Sequence, residues 1–310
     1  MTGIVRVAAA VILRPDGRCL LAQRPPGKPY AGYWEFPGGK LEAGETPAHA
    51  LARELHEELG LTVREAAPWI VQQFVYPHAH VELHFFRVFA FDGEPHGHDG
   101  QAFSWQVPGA FDVAPLLPAN SRVIAALLLP SVYGISCADD LGESAFLARA
   151  DAAFRNGLRI VQVREKTWRR ERLAPFALRL RELARAHGAK ILLNGDEDEA
   201  RRLGLDGVHW TSARLADATA RPTDLLVGAS CHSAGELARA GALGCDFAVL
   251  GPVRATPSHA DCPGMAWEGF SRTIEGTPLP VYALGGLAMR DLGAAIGCGA
   301  HGIAMRRGAW

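Results

Sequence analysis

Hydrophobic and polar positions change rhythm near residue 130 of this 310-residue chain. Before that point, short apolar runs alternate with turn residues. Residues 5–13 and 19–23 read as strands split by Pro15-Asp16-Gly17, and residues 69–76 and 81–91 read as two more. The last run has period two, with Val81, Leu83 and Phe85 set against Glu82, His84 and Phe86. Over residues 47–59 the period becomes helical, because Leu51, Leu55 and Leu59 stand four apart and form an apolar stripe. Thr46 suits the N-cap of this helix, Pro47 its first position and Gly60 the left-handed residue that ends it. A second helix is expected over residues 121–129, stopped by Pro130.

Beyond residue 130, apolar runs recur at 132–136, 159–163, 191–194, 207–210, 225–230, 247–251, 281–285 and 302–305, mostly separated by helix-length segments. Such a series predicts parallel β-α units closed into a (β/α)8 barrel. The chain stops at Trp310, a few residues past the eighth run, so this TIM barrel is expected to lack most of its last helix. The expected fold class is therefore α/β: a mixed α/β/α sandwich over residues 1–130, then the barrel over residues 131–310.

Composition narrows the classes. Lys and Arg number 32 against 33 Asp and Glu, so no electrostatic footprint for duplex nucleic acid exists. The basic run 164–172 interleaves Glu165 and Glu171 and reads mainly as a solvated helix start. The longest apolar run, 123–130, is too short to span a bilayer. Six cysteines are scattered without a C-x-x-C pair, which fits a reducing cytoplasm rather than a zinc site or disulfide framework.

The chemistry concentrates in residues 39–61. Gly39, Glu45, Arg53, Glu54, Leu55, Glu57, Glu58, Gly60 and Leu61 satisfy G-x5-E-x7-R-E-U-x-E-E-x-G-U at every fixed position. Glu54, Glu57 and Glu58 fall at i, i+3 and i+4, so three carboxylates crowd one helix face and need a cation among them. Hard divalent ions, Mg²⁺ above all with Mn²⁺ as an alternative, prefer such oxygen donors. The bland alternative is a solvated acidic face with Arg53 as ion-pair partner. The pattern resembles the Nudix box, and the resemblance implies Nudix hydrolase activity.

Finer likeness lies in Glu35-Phe36-Pro37-Gly38-Gly39-Lys40, Gly93-Glu94-Pro95, Gly100-Gln101 and Pro118-Ala119-Asn120. These resemble the MutT branch, which hydrolyses 8-oxo-dGTP to the monophosphate and pyrophosphate. The resemblance implies a metal set of Glu54, Glu57, Glu58 and the Gly38 carbonyl. It also implies a water steered by Glu54 or Asp99, and Arg53 orienting a carboxylate or serving as a structural ion pair. Asp99 stands where MutT has a glutamate and Pro29 where it has a histidine. Substrate contacts are implied for Arg24, Glu35, Phe36, Lys40 and Asn120, the alternatives being core packing for Phe36 and a surface position for Lys40. Asn120 can accept from the N7–H of 8-oxoguanine and donate to O6, whereas unmodified guanine presents an acceptor at N7. The alternative for Asn120 is a helix cap.

Residues 131–310 resemble the thiamine phosphate synthase and TenI family. The supporting segments are Val161-Gln162-Val163-Arg164-Glu165-Lys166, Asp206-Gly207-Val208-His209, residues 228–233, Gly251-Pro252-Val253 with Thr256-Pro257-Ser258, and Ala283-Leu284-Gly285-Gly286-Leu287. The implied ligand site comprises Arg164, Lys166, Asn194, His232, Thr256, Gly285 and Gly286. His232 matches a proton-transferring histidine of thiazole tautomerases or is a structural histidine, and Gly285-Gly286 is an amide cradle or a plain turn. Both carboxylates expected for magnesium are replaced, by Asn194-Gly195 and Thr211-Ser212, while Arg214, Arg306 and Arg307 add positive charge. The expectation is a barrel that binds a phosphorylated small molecule without making thiamine phosphate. Its unclosed side invites cover by the first domain or by a second copy in a homo-oligomer. Two functions follow from the resemblances. One is nucleotide-pool sanitising, in support of DNA replication and repair, on a small nucleotide. The other is a thiamine-pathway enzyme whose Nudix half cleaves a pathway diphosphate while the barrel acts as tautomerase or synthase.

Overall fold

The computed structural model describes residues 3–97, 101–255 and 263–310. By compactness the chain divides into Met1–Leu129 with Gly276–Pro278, and Pro130–Glu275 with Leu279–Trp310. The first unit holds β1 (Val5–Ile12), β2 (Cys19–Gln23), β3 (Trp34–Glu35), β4 (Gly38–Lys40), α1 (Pro47–Leu59), β5 (Thr62–Tyr76), β6 (Ala79–Asp92), β7 (Phe103–Gln106) and α2 (Ser121–Leu127). One sheet runs β4-β1-β6-β5 and the other β3-β2-β7. β1 and β6 are parallel, whereas β4 and β5 flank them antiparallel.

Alternation along β1 builds the layers. Ala8, Ala10 and Ile12 pack with Leu51, Leu55 and Leu59 of α1. Ala9 and Val11 face the other way, in one cluster with Val123 and Ala126 of α2. Side chains of a strand alternate faces, so one apolar strand serves both helices. The expected α/β/α sandwich is what forms.

Boundaries differ where the sequence signal is weak. β5 starts at Thr62 rather than residue 69, because its first half is polar and crosses Pro68 with shifts of register against β6. β3, β4 and β7 span two to four residues and carry no periodicity to read. α2 ends at Leu127, two residues early, after a 3-10 turn over Pro118–Asn120.

The second unit is a closed barrel of parallel strands. They are β8 (Val132–Ile135), β9 (Ile160–Val163), β10 (Lys190–Asn194), β11 (Gly207–Trp210), β12 (Leu226–Cys231), β13 (Phe247–Leu250), β14 (Val281–Leu284) and β15 (Gly302–Met305). Around them run α3 (Ala138–Leu141), α4 (Glu143–Arg155), α5 (Arg170–Arg185), α6 (Glu197–Arg202), α7 (Ser212–Asp217), α8 (Ala234–Ala242), α9 (Ala266–Ile274) and α10 (Leu292–Gly297). Two strand starts share a device: Asp206 Oδ2 accepts from Ile191 N and Asp246 Oδ2 from Val227 N, each at 2.7 Å. Both tie a strand to its neighbour at the N-terminal rim.

After β15 the chain makes a 3-10 turn, Arg307–Ala309. Trp310 then packs its ring 4.6 Å from that of Phe146, and its Nε1 donates to Ile135 O at 2.9 Å. The indole also lies over Gly134, where a Cβ would come within 3.2 Å of it. Among the described residues no helix is long and apolar enough to cross a membrane, and the described cysteines are free thiols.

Candidate functional site

α1 begins and ends as its sequence demands. Thr46 Oγ1 accepts from His49 N, Pro47 opens the helix, and Gly60 closes it at φ 66°. With its leucine stripe buried, the helix sets Arg53 and Glu54 against β4. A Cβ on Gly39 would stand 2.1 Å from Glu54 Cδ, so the motif glycine leaves the room that the Glu54 carboxylate occupies. Gly38, at φ 143°, is equally constrained, since a Cβ there would lie 2.1 Å from Ala8 O.

Arg53 is the hub of this face. Its Nε and Nη2 donate to Glu45 Oε1 and Oε2 at 3.0 and 2.9 Å. Its Nη1 reaches Glu54 Oε1 and Glu57 Oε2, both at 3.0 Å, and Nη2 also reaches Lys40 O at 3.0 Å. The hydrogen bond with Arg53 holds Glu45 below the usual carboxylate range, and the same bond first raises the guanidinium pKa. Glu45 was absent from the candidate set, although its fixed place in the motif was the available signal. Lys28 Nζ stands 3.9 Å from Glu58 Oε1. The Lys40 side chain is exposed, and Asp99 lies outside the described residues.

Among the described residues no three carboxylate, imidazole or thiol groups converge as a finished metal cluster. The cation among Glu54, Glu57 and Glu45 here is Arg53. The donor set nonetheless fits a hard divalent ion. It is all oxygen, it contains the half-buried Glu54 and Glu58, and Glu57, bonded to Arg53, is 57% exposed. The space reserved by Gly39 keeps one donor fixed.

A second group of candidates lies around β2, β3 and the 3-10 turn. Arg24 Nη1 donates to both Glu35 oxygens at 2.6 and 2.7 Å, and its Nε to Pro29 O at 2.8 Å. Burial raises the Glu35 pKa against the pull of Arg24. Phe36 is 3% exposed and packs edge-to-face on Phe85 at 6.1 Å, a core position. Asn120 is 3% exposed, and its side chain makes no capping bond to α2. That removes the cap alternative. Its Nδ2 is buried without any hydrogen-bond partner, while the preceding Ala119 O accepts from Gln72 Nε2.

At the C-terminal ends of the barrel strands, Arg164 and Lys166 follow β9. Burial and then Arg306 lower the Arg164 pKa, and Arg164 first, then burial, lowers that of Lys166. The solvated reading of this run fails at Glu165, which is 5% exposed. Its carboxylate accepts from Ser136 Oγ at 2.5 Å and from Ala138 N and Asp139 N at 2.9 Å. Asn194 ends β10 half-buried. His232 Nδ1 lies 3.0 Å from Gly251 O. A carbonyl only accepts, so Nδ1 carries the proton and Nε2 is left as the basic nitrogen. Gly285 has φ 116°, and a Cβ there would meet Pro252 Cα at 2.7 Å. Gly286 has φ 64°, and Thr256 lies outside the described residues.

The expected extra cations are already paired. Arg214 binds Glu197 at 2.8 Å, while Arg306 and Arg307 reach Asp140 at 3.2 and 2.8 Å. Each partner is remote in sequence, so spacing could not reveal it. His209 was also missed as a site residue. It is fully buried between Tyr133 Oη at 3.1 Å and Ser230 Oγ at 3.0 Å, and burial depresses its pKa to about 3.

Comparison with known proteins agrees with both halves. The NUDIX domain model matches residues 3–127, and the thiamine monophosphate synthase model matches residues 132–309. The chain is 42% identical over 125 residues to an 8-oxo-dGTP diphosphatase of Haemophilus influenzae, covering 40% of this chain and 92% of that protein. It is 40% identical over 131 residues to a CTP pyrophosphohydrolase of Escherichia coli, covering 40% of this chain and 92% of that protein. A thiamine-phosphate synthase of Synechocystis is 35% identical over 191 residues, covering 61% of this chain and 54% of that protein. With an intact Nudix helix followed by a closed parallel barrel, the chain belongs to the Nudix hydrolases over residues 3–127 and to the thiamine monophosphate synthase family over residues 132–309.

Proposed function

We propose that the Nudix half, taken as residues 1–130, cleaves a nucleoside triphosphate to the monophosphate and pyrophosphate, with 8-oxo-dGTP preferred. Asn120 carries this reading. A buried amide donor without a protein partner costs about 1–3 kcal/mol, a cost that a ligand acceptor offsets. A carboxamide suits a base edge with one acceptor and one donor side by side, which the N7/O6 edge of 8-oxoguanine has and that of guanine lacks. The names of the relatives, one acting on 8-oxo-dGTP and one on CTP, support the reaction and frame the choice of base.

Glu54, Glu57, Glu58 and the Gly38 carbonyl are the groups that would hold Mg²⁺ or Mn²⁺. The bound ion would supply charge neutralisation on the phosphates. Arg53 positions Glu54 and Glu57 through its bonds to both and to Glu45. Glu54 or Asp99 takes the proton from the attacking water. Lys28 and Lys40 lie beside the acidic face as phosphate contacts.

For the barrel, residues 131–310, we propose a phosphorylated small molecule held by Arg164, Lys166, Asn194, Gly285 and Gly286, with His232 Nε2 facing it as a base. The family membership of residues 132–309 also favours a second reading, in which the Nudix half cleaves a thiamine-pathway diphosphate. A product screen separates the two. Purified protein is offered 8-oxo-dGTP, dGTP, CTP and thiamine-pathway diphosphates, and products are identified by mass. The first reading requires the highest kcat/KM on 8-oxo-dGTP, and Asn120→Ala should cut that value far more than the value for dGTP. A preference for a thiamine-pathway diphosphate would hand the function to the second reading.

A further inference from the structure

Asn120 is not the only buried polar group of the first unit that lacks a partner. Tyr76, at the end of β5, is 8% exposed, and its Oη makes no hydrogen bond of ordinary geometry. Its ring is held tightly, 4.6 Å from Phe74, 5.3 Å from Tyr30 and 5.4 Å from a stacked His78. Such packing fixes where the hydroxyl points. It stands beside the Ala119 amide, with Glu35 and Arg24 also close enough to act on it electrostatically. An amide N–H is a donor, so it does not take the hydroxyl proton. Gln72, four residues earlier on the same strand face, uses its own amide on Ala119 O. Ala119 is therefore approached by Gln72 at its carbonyl and by Tyr76 at its N–H, while Asn120 Nδ2 and Tyr76 Oη are both left with hydrogens to give.

We infer that Tyr76 Oη is a second base-reading group, which donates its proton to a carbonyl oxygen or ring nitrogen of the nucleobase next to the contact of Asn120. A phenylalanine would fill the same aromatic cluster without burying an unpaired hydroxyl, which destabilises the free protein. The hydroxyl is satisfied only when a ligand brings an acceptor to it. Unmet polar groups that lose stability and gain binding are the signature of a recognition site. Tyr76 at the end of β5 and Asn120 in the 3-10 turn are both more than nine-tenths buried, and together they would present two donors to one ligand.

This inference rests on nucleotide hydrolysis by the Nudix half, and the test separates the two. Full-length wild type and Tyr76→Phe are compared on 8-oxo-dGTP, dGTP, CTP and the base-free 2-deoxyribose 5-triphosphate, alongside thermal melting. The expected result is a loss of about tenfold in kcat/KM, ~1.4 kcal/mol, on at least one base-bearing substrate. The rate on the base-free triphosphate should be unchanged and the melting temperature equal or higher. That pattern supports the role whichever base the wild type prefers. Equal loss on base-bearing and base-free substrates, or no loss on any, overturns the role of Tyr76 and leaves triphosphate hydrolysis standing. A wild type inert on every triphosphate overturns both.

Discussion

At the scale of single residues, the acidic face of α1 depends on Gly39 as much as on its glutamates. Gly39 is an ordinary strand residue whose backbone an alanine can adopt. The objection to a side chain is local: the added methyl would stand 2.1 Å from Glu54 Cδ. Glu54 is at the end of a flexible side chain and can swing away at little cost to stability, but not without leaving its place. Gly39→Ala should therefore fold normally and lose activity. A displacement of about 1 Å in a catalytic group costs on the order of 10²-fold. Glu58→Gln keeps shape and removes charge, and should lower turnover comparably while also weakening Mn²⁺ binding measured by calorimetry. A Gly39→Ala enzyme with wild-type turnover at saturating Mg²⁺ would show that the Glu54 position seen here is not the working one.

At the scale of elements, the polar lining of the barrel makes stability depend on pH. His209 of β11 is neutral in the fold because burial, and then Arg164, depress its pKa from the ordinary 6.5 to about 3. Between those values the unfolded chain takes up a proton that the folded barrel refuses, so barrel stability is lost as pH falls from 6.5. One proton corresponds to a slope of about 1.4 kcal/mol per pH unit. Denaturation of the full chain from pH 7 to 4 should show this slope, and His209→Gln should flatten it while lowering stability at pH 7. Parallel slopes for the two proteins would count against a neutral His209. The elements themselves were legible to unequal degrees. α1 could be bounded from Thr46, Pro47 and Gly60, and the barrel strands from apolar runs buried on both faces. β4 and β7 were invisible because three or four residues carry no period. The first half of β5 hid behind its polar run and Pro68. In the site, spacing alone grouped Glu54, Glu57 and Glu58. It could not show Asn120 Nδ2 or Tyr76 Oη as orphans, nor the Asp140 that pairs with Arg306 and Arg307, since those facts arise only when distant segments meet.

At the scale of the whole molecule, the open question is why a hydrolase carries a barrel whose synthase carboxylates are replaced. The ion pairs answer part of it. Arg214, Arg306 and Arg307 each have a carboxylate partner, so they do not stand ready for a ligand as their number suggested. Arg164 and Lys166 are different. Neither has a carboxylate ion-pair partner among the described residues; burial first and then Arg306 disfavour the charged form of Arg164, and Arg164 first and then burial that of Lys166. An anion placed between them would relieve that repulsion, and guanidinium and ammonium groups bind phosphate without a metal. Full-length protein carrying Glu58→Gln, so that the Nudix half is silent, should therefore bind inorganic phosphate weakly and thiazole phosphate more tightly in calorimetry without added Mg²⁺. Arg164→Ala should weaken both by about tenfold or more, since a hydrogen bond to a charged group contributes about 1.5–3 kcal/mol. Expression in a strain lacking thiamine phosphate synthase should not restore growth, because Gly195 and Thr211–Arg214 stand where the family resemblance expects the magnesium carboxylates, and Asp196 is engaged as the N-cap of α6. Rescue of that strain would mean that the barrel makes thiamine phosphate with another ligand set. Absence of any phosphate binding would reduce Arg164 and Lys166 to a solvated rim.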